Sequence, residues 1–594
     1  MFEKSISFYR IAKLFFLLVG TLVVFGCGGG GGGGVTSPPA PSLSEAGGLL
    51  IFLANNVETE ITDLYKATVD ADSVAVRLSD NTVLEIADAA ISPDGNFAAY
   101  KGRPDPLSPW QLYVVDIHNG GDSALVSIAG GEVVSYVWSG DSERLAYCVK
   151  VEGDPRSLYV VNRGDEKGGT RVSTHFVSDT CAWWGPNSEY VVYKSRSEAL
   201  DPWVLYLAIG PDFDVVEDIS SDDLSVDQVS WSPDSAEPKL AYTAGEQPGG
   251  FDRLYSFAVE SFFTHEVSGD ISEGFEEIAG SVADFKWSSD GNTLAFRADF
   301  GQEGAYELFI ADFEGQDGFK VNPDFLPVEE ENPVVEAMTI AATADAGAMV
   351  FSSVKRYNWA PNGTDIAYLV DQEEDGVDEL YVFKSPADEP AKVSGGPVLT
   401  QKGEISDVRG FAWMPDGDAL VYRAIHEAVG GAATTKLYRV DAGGAETSHL
   451  SDGLDQAPPD FEGIGNVWDF MVSADGAFVA YLAEREGVFR LYATESGGSD
   501  HMLVSEDLAQ NDGDDGGDIV GDVIDFRWLP EPNAHQLVYL ADDEVDTMYK
   551  VHGIDLGEDN NESFDLSGSL TGDDRALCVA VTGADGRACQ VGEL

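Results

Sequence analysis

From Leu49 to the carboxyl end, short apolar runs rich in Val, Tyr, Phe and Ala alternate with clusters of Gly, Asp, Asn and Pro. This is the signature of strands joined by tight turns. No stretch sustains a helical period, and only Glu330 to Ala344 could hold a short helix. One unit recurs about ten times. Its clearest copy is Trp231-Ser232-Pro233-Asp234-Ser235, then Lys239-Leu240-Ala241-Tyr242, then Leu254-Tyr255. Read as structure, a strand ends in Trp, a turn follows, a second strand carries a small residue and an aromatic, and a third opens with Leu-Tyr.

The turn recurs as Ser92-Pro93-Asp94-Gly95, Ser139-Gly140-Asp141-Ser142, Gly185-Pro186-Asn187-Ser188, Ser288-Ser289-Asp290-Gly291, Ala360-Pro361-Asn362-Gly363, Met414-Pro415-Asp416-Gly417 and Ser473-Ala474-Asp475-Gly476. A ninth copy, Leu529 to Asn533, is distorted, and Gly583-Ala584-Asp585-Gly586 resembles a tenth. In such turns Pro presets φ, Asp or Asn bonds its own backbone, and Gly accepts positive φ. Immediately before the turn stand Trp138, Trp184, Trp231, Trp287, Trp359, Trp413 and Trp528, seven of the eleven tryptophans. Third strands open with Leu-Tyr or its equivalent from Leu64-Tyr65 to Met548-Tyr549. Large aromatics at fixed repeat positions predict packing between adjacent sheets.

The spacing is about 47 residues in the first half and about 55 in the second, which predicts an all-β propeller of about ten four-stranded repeats. The first unit lacks a first strand and the last, at Ala576 to Thr582, supplies one, so pairing the two ends would close a ring and remove both open edges. Ten units exceed the usual four to eight blades. Two smaller propellers with a seam at 321–355 are therefore an alternative to one large ring. The Trp-Ser-Pro-Asp-Gly and Leu-Tyr-Val motifs resemble the WD-like β-propeller repeats of the TolB family, over nearly everything from residue 49 (domain 48–594). The resemblance implies protein–protein interaction in the periplasm or at the outer membrane. That family's amino-terminal domain has no counterpart before Leu49.

The first residues read differently. Lys4, Arg10 and Lys13 precede the apolar run Leu14 to Phe25, of signal-peptide length. Val23-Val24-Phe25-Gly26-Cys27 resembles the lipobox of bacterial lipoproteins, which implies a signal peptide over 1–26 and lipid on Cys27. Gly28 to Gly34 and the prolines beyond form a tether over 27–47. Gly28 directly after the lipid-bearing residue, in place of Asp, favours the outer membrane by the same resemblance.

A formal net charge of −69 repels nucleic acid and anionic membrane surfaces, since phosphate binding needs clustered Lys and Arg. The membrane is then reached through the lipid anchor only. Besides Cys27 there are four cysteines, too few for a disulfide framework. Cys578 and Cys589 flank an expected hairpin and are predicted to face each other as a disulfide. Cys148 and Cys181 are expected to be small buried residues and not a pair.

Chemistry is sparse. No Gly-x-Ser-x-Gly elbow is present for a hydrolase. The eight histidines are dispersed, with no close-spaced pair to suggest the metal of a propeller lyase. Asp371, Glu373 and Asp375 mimic the opening of a calcium loop, but Val382 stands where a bidentate Glu belongs. A solvated acidic loop is the expectation and no cofactor is called for, with structural Ca2+ at these three residues as the alternative. The sequence thus predicts an exported, lipid-anchored propeller that acts as a non-catalytic scaffold. It would be a monomer binding a protein or peptide partner. The alternative is a metal-dependent, lyase-like carbohydrate enzyme.

Overall fold

In the computed structural model the described residues run from 49 to 590, apart from 57–60, 70–73, 121, 167, 247–249, 273–279, 326–351, 374–375, 385–388, 396–402, 429–432, 452–465, 486–487, 499–500, 506–522, 531–534, 542–549, 557–562, 567–577 and 582–588. Cys27, Asp375, the expected helix at Glu330 to Ala344 and the turn Gly583 to Gly586 lie outside them. The strands form ten antiparallel sheets, eight of four strands and two of five. Blades 2 to 10 take their first strands, innermost except in blade 2 where Cys589–Gln590 lies inside, from Glu85–Ile91, Glu132–Trp138, Phe176–Val177 with Trp183–Trp184, Leu224–Trp231, Val282–Trp287, Val354–Trp359, Gly403–Trp413, Asn466–Val472 and Val523–Trp528. Blade 1 is assembled from both ends of the chain. Leu49–Asn56, Ile61–Thr68 and Val76–Arg77 are its outer strands, and Cys578–Val581 pairs with the first of them in the register Leu50↔Val581 to Leu53↔Cys578.

One apolar cluster fills each junction between neighbouring blades. Phe52 and Tyr65 of blade 1 meet Leu529, Leu540 and Val551 of blade 10, so the ring closes. At the expected seam, Leu308 and Val321 of blade 6 pack on Val354 and Tyr368 of blade 7 like any other junction. The molecule is one ring of ten blades, and the reading as two smaller propellers is corrected. A fully buried aliphatic or aromatic side chain contributes roughly 1.5–3 kcal/mol, so each junction alone is worth more than any single polar contact.

The repeat positions perform recognisable tasks. The indole N–H of each of the seven repeat tryptophans donates to a backbone carbonyl of the preceding blade: Trp138 to Ala90, Trp184 to Val137, Trp231 to Trp183, Trp287 to Ser230, Trp359 to Lys286, Trp413 to Asn358 and Trp528 to Met471, all at 3.0–3.2 Å. In every case the acceptor lies one residue before that blade's own Trp position. The aromatics of strands two and three stack as cross-strand pairs, from Tyr100 with Tyr113 to Tyr481 with Tyr492. In blade 10 the partner of Tyr539 is His552. Val551-His552, and not Met548-Tyr549, therefore holds the repeat position.

A second repeat signal went unread in the sequence. Fourteen or fifteen residues after the Leu of Leu-Tyr, an apolar–Ser pair (apolar–Asn in blade 6) turns its side-chain oxygen back to that Leu N–H. Examples are Ser127 to Leu112, Ser268 to Leu254, Asn322 to Leu308 and Ser505 to Leu491, at 2.8–3.1 Å. The bond satisfies a backbone donor that the short fourth strand leaves over.

Candidate interaction surfaces on the ring

Antiparallel order places the loops between second and third strands at one end of the ring, opposite the Ser-x-Asp-Gly turns. Two of these loops match. Arg103-Pro104-Asp105-Pro106-Leu107-Ser108-Pro109-Trp110 in blade 2 and Arg196-Ser197-Glu198-Ala199-Leu200-Asp201-Pro202-Trp203 in blade 4 share Arg, Leu, Pro and Trp at the same offsets. Each guanidinium lies over its own Trp ring, 4.3 Å from the centroid for Arg103 and 4.1 Å for Arg196. Asp105 accepts from the Leu107 N–H at 3.0 Å and the Ser108 hydroxyl at 2.6 Å, and Asp201 accepts from the Glu198 N–H at 2.8 Å. These bonds fix the loop shape, and the tip leucines remain 97% and 98% exposed. A single exposed leucine needs no explanation; two on matching, internally braced loops do.

The innermost strands border the central channel, and polar side chains bridge them. Lys101 pairs with Asp88 directly across the ladder at 2.9 Å and also donates to the Val134 carbonyl of blade 3 at 3.1 Å. Lys194 donates to Asp227 O and Gln228 to Ala283 O, again in the following blade. Arg297 grips Asp284, its cross-strand partner, with two nitrogens and donates to the carbonyls of Val354 and Lys355. Lys286 donates to Tyr357 O at 2.8 Å and to the Asn358 side chain. Burial, opposed by Asp284 and reinforced by Arg297 and Arg356, pulls the Lys286 ammonium down to about 8. Blades 7 and 8 add Arg356, Arg409 and Arg423, a concentration of cations in a chain with only 35 Lys and Arg.

Of the residues singled out for metal, Asp371 and Glu373 lie among the described residues. One Asp371 oxygen accepts from the Ser353 N–H at 2.7 Å and the other faces Lys355 at 3.3 Å. Glu373 accepts from Tyr381 OH at 2.7 Å and pairs with Lys392 at 2.5 Å. Both carboxylates thus brace the protein itself. Among the histidines, His426 and Tyr438 share a hydrogen bond at 2.8 Å inside blade 8, and His535 pairs with Asp475 at 2.7 Å.

The cysteine expectations need two corrections. Cys148 and Cys181 form a disulfide. It ties the second strand of blade 3 to the point where the innermost strand of blade 4 breaks between Val177 and Trp183, where Cys181 takes φ +61°. Cys578 and Cys589 do not sit on one hairpin. Cys578–Val581 belongs to blade 1, whereas Cys589–Gln590 pairs with Asp88 and Ala89 on the channel edge of blade 2. Among the described residues no helix is long and apolar enough to cross a membrane.

No family model matches the chain, and no curated protein is similar to it in sequence. Solved structures are similar. A TolB protein of Agrobacterium tumefaciens matches at 12% identity and TM-score 0.25, over 46% of this chain and 88% of its own. Dipeptidyl peptidase 4 of Porphyromonas gingivalis matches at 13% and 0.42, over 77% and 64%. An oligogalacturonate lyase of Vibrio parahaemolyticus matches at 12% and 0.31, over 76% and 98%. No role is carried over from these matches, and it is the ten sheets and their closed junctions that make this chain an all-β, ten-bladed propeller.

Proposed function

We propose that this chain is an exported, lipid-anchored propeller of the bacterial cell envelope that works as a non-catalytic protein-binding scaffold. The observation that carries the reading is the pair of matching loops in blades 2 and 4. A leucine held fully in water on a braced loop costs little conformational entropy to dock, and burying it in a partner's pocket gains about 1.5–3 kcal/mol. Two such anchors at one end of a rigid ring define a surface in the way that buried hot spots do. The blade 3–blade 4 disulfide suits an oxidising compartment outside the cytoplasm. The lipobox-like segment ending in Cys27 supplies the anchor.

The test is retention of an envelope protein by the immobilised full-length chain, compared with Leu107→Asp/Leu200→Asp. Both side chains are solvent-exposed, so the double variant should melt with the wild type. It should retain the partner at least tenfold less. Equal retention by the double variant would remove the basis of this reading.

A further inference from the structure

Blades 2, 6 and 8, like blade 4 with Lys194, whose ammonium donates to the Asp227 carbonyl, place a cation at the same position of the second strand. The ladder sets Asp88 opposite Lys101, Asp284 opposite Arg297 and Gly410 opposite Arg423. In the first two blades a carboxylate neutralises the cation directly across the strands. In blade 8 glycine stands in place of the aspartate, so no carboxylate faces Arg423 across its own sheet, and the negative charge that offsets it comes from Asp469 at the matching first-strand position of blade 9. Arg423 makes no hydrogen bond or ion pair with any described residue, and nor does Arg356, which approaches from the innermost strand of blade 7. A Cβ on Gly410 would lie 3.6 Å from Arg356 Nη1 and 3.6 Å from Arg423 Nε. The two nitrogens therefore lie no more than about 7 Å apart, close enough for one two-oxygen anion to accept a hydrogen bond from each. Nearby carboxylates are otherwise placed. Asp407 pairs with Arg409 on its own strand, and Asp469 of blade 9, exposed and without a direct ion pair to Arg423 among the described residues, accepts from the Phe470 N–H with one oxygen.

We propose that the gap over Gly410, between Arg356 and Arg423, is a binding site on the channel wall for a ligand carboxylate, which takes the place that aspartate holds in blades 2 and 6. Burial, opposed by Asp469 and reinforced by Arg356 and Arg409, lowers the Arg423 pKa, as expected of a buried cation beside others of its sign. The aspartates of the matching blades fix the chemistry. Their one planar carboxylate fits between the strands, and bidentate contact with guanidinium is specific for that shape. The net charge of −69 works against polyanions, so the site suits a singly charged group such as a peptide carboxyl end or a uronic acid. This site lies on the channel wall and is independent of the scaffold reading.

The experiment is calorimetric titration of the full-length chain at low ionic strength with acetyl-glycylglycine, with glucuronate and, in a third arm, with inorganic phosphate. Saturable binding of either carboxylate is expected, and which one binds tells the source of the group. Gly410→Asp should abolish that binding and raise the melting temperature, because it restores the internal pair. Arg423→Gln should weaken binding at least tenfold. The assignment is overturned if neither carboxylate binds, if Gly410→Asp binds like the wild type, or if phosphate binds as tightly as the carboxylates.

Discussion

At Lys286 the ring holds an ammonium between two blades, bonded to Tyr357 O and Asn358 and facing Asp284, Arg297 and Arg356. Its pKa falls to about 8 in the folded state, against an ordinary 10.5. Between those values the unfolded chain keeps a proton that the folded chain has released, so this group makes stability rise with pH across that window. Denaturation of the wild type and of Lys286→Met at pH 7.5 and 10 should show the wild type gaining on the variant, by up to about 3 kcal/mol. No relative gain would mean that the site is wetter than its packing indicates. The turns show a different economy. The left-handed position is filled by Gly95, Gly291, Gly363, Gly417 and Gly476, at φ +70° to +76°, but by Ser142 and Ser188 in blades 3 and 4, at +62° and +60°. Each serine bonds the preceding blade's turn, Ser142 to the Asp94 N–H at 2.9 Å and Ser188 to the Asp141 N–H at 3.0 Å. That contact offsets the roughly 1 kcal/mol or more that the conformation costs a residue with a Cβ.

At the scale of the element, the first strand of one blade is clasped to that of the next by the Trp indole. Trp287→Phe keeps most of the ring area and leaves the Ser230 carbonyl without its donor, so a loss of about 1–2 kcal/mol is expected in urea unfolding. A loss below a few tenths would show the clasp to be incidental. Strands, turns and the Trp position were legible because each rests on local rules of φ, hydrogen bonding and period-two burial. What was not legible depended on contacts between blades. Cys148 and Cys181 meet only because the innermost strand of blade 4 breaks between its two halves, and no local pattern announces that break. Met548-Tyr549 imitated the repeat dipeptide, but the ladder set Val551-His552 opposite Leu540-Tyr539. The candidate sites were hidden for a related reason. Gly410 is an ordinary glycine until the ladder sets it across from Arg423, and the Arg103–Trp110 and Arg196–Trp203 loops are legible only when laid side by side.

At the scale of the molecule, ring closure places everything else. The carboxyl-terminal strand supplies the inner edge of blade 1, and Cys589–Gln590 continues onto blade 2. Among the described residues, the first strands of blades 1 and 2 are both paired along their inner edges by the carboxyl-terminal segment, which protects a β protein of this size from edge-to-edge association. Spacing alone could not choose between one ring and two, because the choice rests on how Phe52, Tyr65, Leu529 and Leu540 meet, some five hundred residues apart in the chain. The channel-wall cations and the loops at the ring's end share one frame only if that junction holds. Electron cryomicroscopy of the full-length chain, viewed down the ring axis, tests this most directly. The account predicts ten densities around one open centre. Two smaller rings, or a ring open between the first and tenth blades, would contradict it.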